Sequence, residues 1–189
     1  MTEFRHLGDR LVHQGSIWHV VVASFESPDG ERFERDIVRS PGAVAAVPII
    51  FGDDGGDPEV VLIAQYRPPY DRVVLEIPAG MRDVQGEPTA AAAGRELMEE
   101  VGLEAANLEL LTEMYPSPGM TDSVTTIYLA TDCQRVVRAP HGPEEHSAEV
   151  LTMTLSEAAT LVERGRISDA KSVAGILLAE RRLRTQTER

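Results

Sequence analysis

Residues 79–103, AGMRDVQGEPTAAAAGRELMEEVGL, limit the possible structure of this chain more than any other stretch. The segment opens with a glycine turn, passes through four alanines and ends with three glutamates among five residues. Pro88 suits the first turn of a helix, where the N–H that proline lacks would have no partner. Gly102 suits the left-handed position that ends a helix. The segment therefore predicts a helix over about residues 88–101.

The predicted helix has an apolar face and an acidic face. A rotation of about 100° per residue places these residues on the core side: Ala90, Ala93, Leu97 and Val101. Glu96, Glu99 and Glu100 share another face, and Arg95, one turn before Glu99, can steady that carboxylate. By itself such a cluster is most often a solvated helix face. A divalent cation would remove the mutual repulsion, and carboxylates suit Mg²⁺ or Mn²⁺ better than zinc.

The spacing around the acidic face favours the metal-site interpretation, because it resembles the Nudix box of the Nudix hydrolases. The matching residues are Gly80, Glu87, Arg95, Glu96, Leu97, Glu99, Glu100, Gly102 and Leu103. One departure is that six residues, not five, separate Gly80 from Glu87. The extra residue falls in MRDVQG, a turn, where a change of length is tolerated best. We expect an altered loop shape and retained metal binding.

The resemblance implies a fold, a reaction and a set of site residues. The expected fold is an α/β/α sandwich with a mixed central sheet, and the expected reaction is magnesium-dependent cleavage of a nucleoside diphosphate linked to another group. Glu96, Glu99, Glu100 and the backbone carbonyl of Ala79 are the implied metal ligands. Glu99 and Arg95 are also implied in catalysis. An anionic diphosphate could not approach an acidic face without cations between them.

Flanking residues resemble the ADP-ribose pyrophosphatase branch of the family. In AQYRPPYDRVVLEIPAG, residues 64–80, Arg67 is implied to contact a substrate phosphate or ribose, with a surface strand residue as the alternative. Glu76 is implied to be a substrate-side carboxylate, with structural pairing to an arginine as the alternative. Pro118, in SPGM, follows Gly102 by 16 residues, a spacing typical of ADP-ribose hydrolases. A stiff turn without a substrate role is the other interpretation of Pro118.

The general base of this branch lies on a flexible loop after the box, which here corresponds to APHGPEEHSAEV, residues 139–150. Glu144, Glu145 and Glu149 are the candidates. We favour Glu145, whose alternative is a solvated loop charge. Glu149 is the rival, either as the base or as a ligand of a further metal ion. The five histidines show no ligand spacing and are interpreted as surface residues, although His146 could assist near the loop.

The N-terminal residues predict a β-rich segment. SIWHVVVASFE and ERFERDIV are rich in β-branched and aromatic residues, with the turn signal SPDG between them. The segment resembles the appendage through which this branch exchanges strands in a homodimer, where adenine stacks on an aromatic side chain. Trp18, Phe25 and Phe33 are available, although each could instead be a core residue. We predict two regions, residues 1–41 for this segment and residues 42–189 for the hydrolase domain.

The remaining chain predicts strands interleaved with helices. The apolar segments GAVAAVPII, EVVLIAQY, VVLEIPAG, LELLTEM, SVTTIYLAT and EVLTMTL predict strands. Ser156 suits the N-cap of a helix over EAATLVERG, and SDAKSVAGILLAERRLR predicts a last helix. This order of elements favours an α+β or α/β sandwich.

Charge and composition exclude several classes of partner. The net charge of -13 disfavours nucleic-acid binding, which needs a basic patch. The longest apolar run, AVAAVPIIF, is too short to span a membrane. Cys133 is the one cysteine, so no intrachain disulfide can form, and the N-terminus lacks the apolar core of a signal peptide. These features predict a cytoplasmic protein, and the resemblance implies a small-molecule nucleotide and a second copy of the chain as its partners.

The resemblance implies Mg²⁺-dependent hydrolysis of ADP-ribose to AMP and ribose 5-phosphate as the favoured function, with Mn²⁺ as a substitute metal. One alternative is another nucleotide sugar, such as GDP-mannose or a UDP-sugar, because the box handles only diphosphate and metal. The other is a non-catalytic sensor of ADP-ribose. Such sensors usually lose box glutamates, and all of them are present here.

Overall fold

A computed structural model describes residues 3–52 and 55–187. Residue contacts divide the chain into two compact units. The first contains the N-terminal residues through Gly42 together with Tyr115–Val124, and the second contains Ala43–Met114 and the chain from Thr125 onward. The boundary at residue 42 is one residue beyond the predicted one. Residues 115–124, predicted as part of the hydrolase domain, group with the N-terminal sheet.

The first unit is built on a three-stranded antiparallel sheet in the order β1-β2-β3, which confirms the predicted β-rich N-terminal segment. Its strands are β1 (Arg5–Gln14), β2 (His19–Glu26) and β3 (Arg32–Arg39). The predicted turn between β2 and β3 is present, with the Glu31 N–H bonded to the Ser27 hydroxyl. Strand β1 was not predicted. Its residues are all exposed, so they carry no alternation of buried and exposed side chains for the sequence to display.

The second unit contains a seven-stranded mixed sheet. Its strands are β4 (Ala43–Ile50), β5 (Glu59–Arg67), β6 (Arg72–Glu76), β7 (Ala79–Met81), β8 (Leu103–Met114), β9 (Thr125–Arg135) and β10 (Glu149–Thr154). The order is β10-β5-β4-β9-β8, with β6 paired to β5 and β7 paired to β4. Strands β4 and β9 run parallel, and the other paired strands of this sheet run antiparallel.

Helices cover both faces of this sheet, which confirms the predicted α/β/α sandwich. They are α1 (Thr89–Glu96), continued by a π-helical turn at Leu97–Val101, then α2 (Gly142–His146), α3 (Leu155–Glu163) and α4 (Ala170–Thr187). Strand β4 alternates between the two layers. Ala45, Val47 and Ile49 pack in the cluster that contains α3 and α4, while Val44 packs against α1.

Helix boundaries differ from the prediction in three places. Pro88 is the N-cap of α1, with extended backbone (φ -61, ψ 141), rather than a residue of the first turn. Thr154, not Ser156, caps α3 and accepts a hydrogen bond from the Glu157 N–H at 3.2 Å, because Ser156 pairs with Asp57 instead. A short helix, α2, lies where a loop was predicted. Within residues 3–52 and 55–187, no helix has the length and apolar content needed to cross a membrane.

Candidate active site

The segment 79–103 forms the centre of the candidate site. Gly80 lies in the short strand β7 against the Glu96 side chain, and a Cβ at position 80 would overlap the Glu96 carboxylate. The helix ends as predicted at Gly102, which has a left-handed backbone (φ 65). Between Glu96 and Gly102 the backbone widens into a π turn, a feature that often occurs at functional sites. Glu99 and Glu100 both lie on this turn.

Arg95 pairs with carboxylates of the acidic face of the helix. Its Nη1 donates to Glu96 at 2.8 Å and to Glu99 at 2.9 Å, and its other nitrogens lie 3.3–3.4 Å from the two oxygens of Glu87. The hydrogen bonds to Glu87, with the charges of Glu96 and Glu99, raise the pKa of Arg95 above its ordinary value. The predicted contact of Arg95 with Glu99 is therefore present, and Arg95 donates hydrogen bonds to three carboxylates rather than one.

Glu96 and Glu100 are buried carboxyls. Glu100 is 3% exposed and accepts a hydrogen bond from the Ala79 N–H at 2.8 Å. Burial, together with the charges of Glu96 and Glu145, raises the pKa of Glu100 to about 8, although the Ala79 N–H opposes the shift. Burial also raises the pKa of Glu96 to about 7, against the opposing effect of Arg95. Both carboxyls therefore lack cationic partners sufficient to stabilise their charged forms.

The six residues between Gly80 and Glu87, one more than the usual spacing of the box, contain a turn, as predicted. The Glu87 N–H bonds to the Val84 carbonyl at 3.2 Å, and Gly86 adopts φ +80. The helix that follows keeps its register. Glu87 forms an ion pair with Arg95, and Gly80 packs against the Glu96 side chain.

Arg67 and Glu76 pair with each other at the ends of β5 and β6. Two guanidinium nitrogens of Arg67 donate to the two oxygens of Glu76 at 2.8 and 2.7 Å. Lys171 of α4 also contacts Glu76 and donates to Asp169 at 2.9 Å. Glu76 is 3% exposed. Its pairing with Arg67 is the structural role considered above as the alternative to a substrate contact. Both carboxylate oxygens of Glu76 accept hydrogen bonds from Arg67, whose side chain is 35% exposed.

Glu145 lies beside the acidic face, on α2 rather than on a loop. Its Oε2 accepts a hydrogen bond from the His141 N–H at 2.6 Å, and the His141 ring nitrogen Nδ1 is 3.7 Å from Glu99. The charge of Glu145 contributes to the raised pKa values of Glu96 and Glu100. Glu144 precedes it on α2, and Glu149 is an exposed residue at the start of β10.

Trp18 and Pro118 belong to the first unit. Trp18 lies in the turn between β1 and β2 and is 53% exposed, which contradicts the alternative of a core residue. Phe25 and Phe33 stack on each other, with ring centroids 5.5 Å apart. Pro118 lines a cavity of about 520 Å³ that Phe25, Phe33 and Arg35 also line.

The donor set fits a hard divalent cation. Glu96, Glu99 and Glu100 are oxygen donors within five residues, and two of them are buried without full charge compensation. In the part of the chain that the structure describes, no three acidic, histidine or cysteine side chains are already gathered as a metal-holding group. Glu96 and Glu99 are bound to Arg95 instead. Glu96, Glu99 and Glu100, with the Ala79 carbonyl, are the groups that would hold the metal.

Sequence reasoning missed several residues of this region. Arg138, His141 and Lys171 contact the residues of the candidate site from segments distant in sequence. Gln65, 6% exposed on β5, has its side-chain oxygen without a hydrogen-bond partner among the described residues. No local pattern in the sequence marked these four residues as part of the site.

The chain has a mixed sheet between two helical layers. Strand β7 lies against the helix whose glutamates Arg95 bridges, and this arrangement is that of a Nudix pyrophosphohydrolase. The NUDIX domain model matches residues 41–176, and the chain belongs to this family.

The chain is similar in sequence or structure to several named proteins. The ADP-ribose pyrophosphatase of Mycobacterium tuberculosis is 37% identical over 179 residues, which cover 93% of this chain and 82% of that protein. The ADP-ribose pyrophosphatase of Bacillus subtilis is 33% identical, over 92% of this chain and 91% of that one. A crystal structure of an ADP compounds hydrolase superimposes with a TM-score of 0.81 at 25% identity, covering 97% of this chain and 96% of that one. GDP-mannose pyrophosphatases match 60% of this chain at 33–34% identity.

Proposed function

We propose that the protein hydrolyses ADP-ribose to AMP and ribose 5-phosphate with Mg²⁺ as its metal. The observation that carries the proposal is that Glu96, Glu99 and Glu100 are grouped with Glu145 beside strand β7. Relatives named ADP-ribose pyrophosphatase cover more than nine-tenths of this chain, which supports the choice of substrate. Mn²⁺ is expected to substitute for Mg²⁺, since both prefer oxygen ligands.

In this proposal the acidic helix holds the metal. Glu96, Glu99, Glu100 and the Ala79 carbonyl are the proposed ligands, with Glu149 as a ligand of a further ion if one binds. When bound, Mg²⁺ would neutralise the diphosphate and acidify an attacking water. Arg95 keeps Glu96 and Glu99 oriented in the absence of metal, because its Nη1 donates to both carboxylates.

Glu145 is the proposed general base. It takes a proton from the water whose oxygen forms a new bond to phosphorus. The bond from that phosphorus to the bridging oxygen breaks, and the bridging oxygen remains on the other phosphate. The position of Glu145 beside Glu96 and Glu100 supports this role, because a base must lie within reach of the water it deprotonates.

Substrate contacts outside the metal site are proposed for Arg67, Pro118 and Trp18. Arg67, partly exposed, is suited to bind a phosphate, and Glu76 holds the Arg67 guanidinium in place rather than contacting the substrate. Pro118 and Trp18 are proposed to contact the nucleoside. Trp18 has the exposure that a stacking platform needs.

The proposed assembly is a homodimer. All ten residues of β1 are exposed, and Leu7, Leu11 and Val12 are among them. An exposed apolar edge strand presents unpaired backbone N–H and C=O groups to which another chain can pair. A second copy of the N-terminal sheet is the expected cover, and we further propose a cytoplasmic location.

A substrate panel tests the proposed reaction. ADP-ribose, GDP-mannose and UDP-glucose are incubated separately with the protein and Mg²⁺, and the nucleoside monophosphates are quantified. We expect AMP from ADP-ribose with kcat/KM at least about tenfold above the other two. A preference for GDP-mannose would change the proposed substrate but not the proposed type of reaction. Tight binding of ADP-ribose without any AMP would instead support the sensor alternative.

A further inference from the structure

Arg138 follows the end of β9 and connects two segments of the second unit. Its Nε donates to the backbone carbonyl of Glu100 at 2.5 Å. Its Nη2 donates to the backbone carbonyl of Glu145 at 2.7 Å, and its Nη1 donates to that of Ala148 at 3.3 Å. One half-buried guanidinium thus bonds to the acidic helix and to the α2 turn at once.

These contacts suit an arginine for physical reasons. The last carbonyls of a helix have no partner within it and carry partial negative charge. Arginine offers several N–H donors in one rigid plane, so it can bind carbonyls of different segments with little loss of side-chain freedom. The Arg138 backbone is itself held against the helix end. The Val136 N–H bonds to the Gly102 carbonyl at 2.9 Å, and Gly102 leaves no room for a Cβ, which would lie 2.9 Å from the Val136 carbonyl oxygen.

Helix α2 depends on such an outside contact for its position. It has only five residues, and none of them is buried. A single helical turn is not stable by itself, because nucleation costs more than one or two hydrogen bonds return. The α2 turn carries Glu145, and His141 before it reaches Glu99.

We propose that Arg138 is a positioning residue that fixes the distance between Glu145 and the carboxylates of the acidic helix. Arg138 acts on the reaction through Glu145 and contacts neither substrate nor metal. The inference rests on the proposed function, in which Glu145 is the general base. A displacement of about 1 Å at a reacting group can slow a reaction roughly 100-fold, so a contact that fixes this distance affects turnover directly.

The test compares Arg138→Met, which keeps the alkyl stem and removes the donors, with Arg135→Met as a matched control. Arg135 is an exposed arginine three residues earlier. We expect Arg138→Met to lower kcat about 10- to 100-fold while KM and the Mg²⁺ dependence change less than about twofold. Arg138→Lys should recover part of the loss, and Arg135→Met should behave as the wild type. An unchanged kcat in Arg138→Met would overturn the inference.

A double variant separates positioning from general support of the fold. If Arg138 acts only through Glu145, then Arg138→Met in the Glu145→Gln background should cause no further loss of kcat. Full multiplication of the two losses would mean that Arg138 works by another route and would overturn the proposal.

Hydrogen exchange tests the same contact without any substrate. Amides of residues 142–148 should exchange faster in Arg138→Met than in the wild type, with exchange in residues 89–96 unchanged. If the wild type cleaves no diphosphate but this local increase is seen, the proposed function fails and the positioning contact stands. Equal acceleration in both segments, or none in residues 142–148, overturns the positioning role whatever the enzyme activity.

Discussion

The Glu100 carboxylate accepts a hydrogen bond from the backbone N–H of Ala79 at 2.8 Å, which links the end of the acidic helix to the strand in front of it. The Glu100 side chain is 3% exposed, and this hydrogen bond stabilises its charged form. The bond does not offset the cost of burial, since the pKa of Glu100 still rises to about 8. A divalent cation would supply the missing positive charge. The proposed metal role of Glu100 therefore has a direct test.

Glu100→Gln should lower kcat by roughly 10²- to 10³-fold, because it removes a charged ligand while keeping the size of the side chain and an oxygen that can bond to Ala79. Turnover is measured on ADP-ribose over a range of Mg²⁺ concentrations. Glu104→Gln, at an exposed position two residues beyond the helix end, is the control and should match the wild type. Near-normal turnover of Glu100→Gln at ordinary Mg²⁺ would remove Glu100 from the ligand set.

Metal removal should make stability fall as pH rises. The pKa values of Glu96 and Glu100 are raised from 4.5 to about 7 and about 8, so the folded chain holds these two protons more tightly than the unfolded chain does. Their contribution to stability is complete below about pH 4.5 and is lost as pH rises through about 7 and 8. Mg²⁺ favours the charged carboxylates and should reverse this loss.

Thermal unfolding in chelator and in excess Mg²⁺, from about pH 6 to about pH 9, measures the effect. The increase in Tm caused by Mg²⁺ should be larger at the alkaline end. Glu100→Gln in chelator should lose less Tm with rising pH than the wild type, because its side chain does not ionise. A Tm increase that is independent of pH would contradict metal binding at these carboxyls.

Much of the fold and of the helix could be predicted because the information is local. The spacing from Gly80 through Glu100 to Gly102 specifies a turn, a helix and its end, and the structure has all three. Continuous apolar runs likewise marked β4 and β5, which are buried along most of their length. Strand β1 escaped prediction because its side chains are exposed on both faces, and only its backbone bonds to β2 define it.

The contacts that arrange the candidate site could not be predicted because they join residues distant in sequence. Lys171 reaches Glu76 across 95 residues, and Arg138 reaches Glu100 across 38. The sequence around each of these two residues contains no motif that indicates a role in the site. Glu145 was expected on a loop, and its short helix was not predicted, because five residues with a proline and a glycine resemble a loop and take helical form only with tertiary support.

The exposed strand β1 predicts a dimer in solution. Light scattering should give about twice the 20.6 kDa chain mass at micromolar concentration. Leu11→Glu places a charge on this strand, where the exposed side chain is proposed to contact a second copy, and should shift the mass toward the monomer. Val137→Glu changes another exposed apolar residue, 91% exposed in the second unit, and should leave the mass unchanged. A wild-type monomer would contradict the proposed assembly.

The last prediction concerns the general base. Glu145→Gln should lower kcat by roughly 10²- to 10⁴-fold, the usual range for such a group, with little change in KM. Glu144→Gln keeps the same helical turn and should be nearly silent. Glu149→Gln decides between the remaining assignments, because Glu149 lies four residues later, at the start of β10. All three variants are measured under identical Mg²⁺ conditions. A large loss in Glu149→Gln with an active Glu145→Gln would transfer the base to Glu149, whereas a loss that high Mg²⁺ restores would make Glu149 a metal ligand.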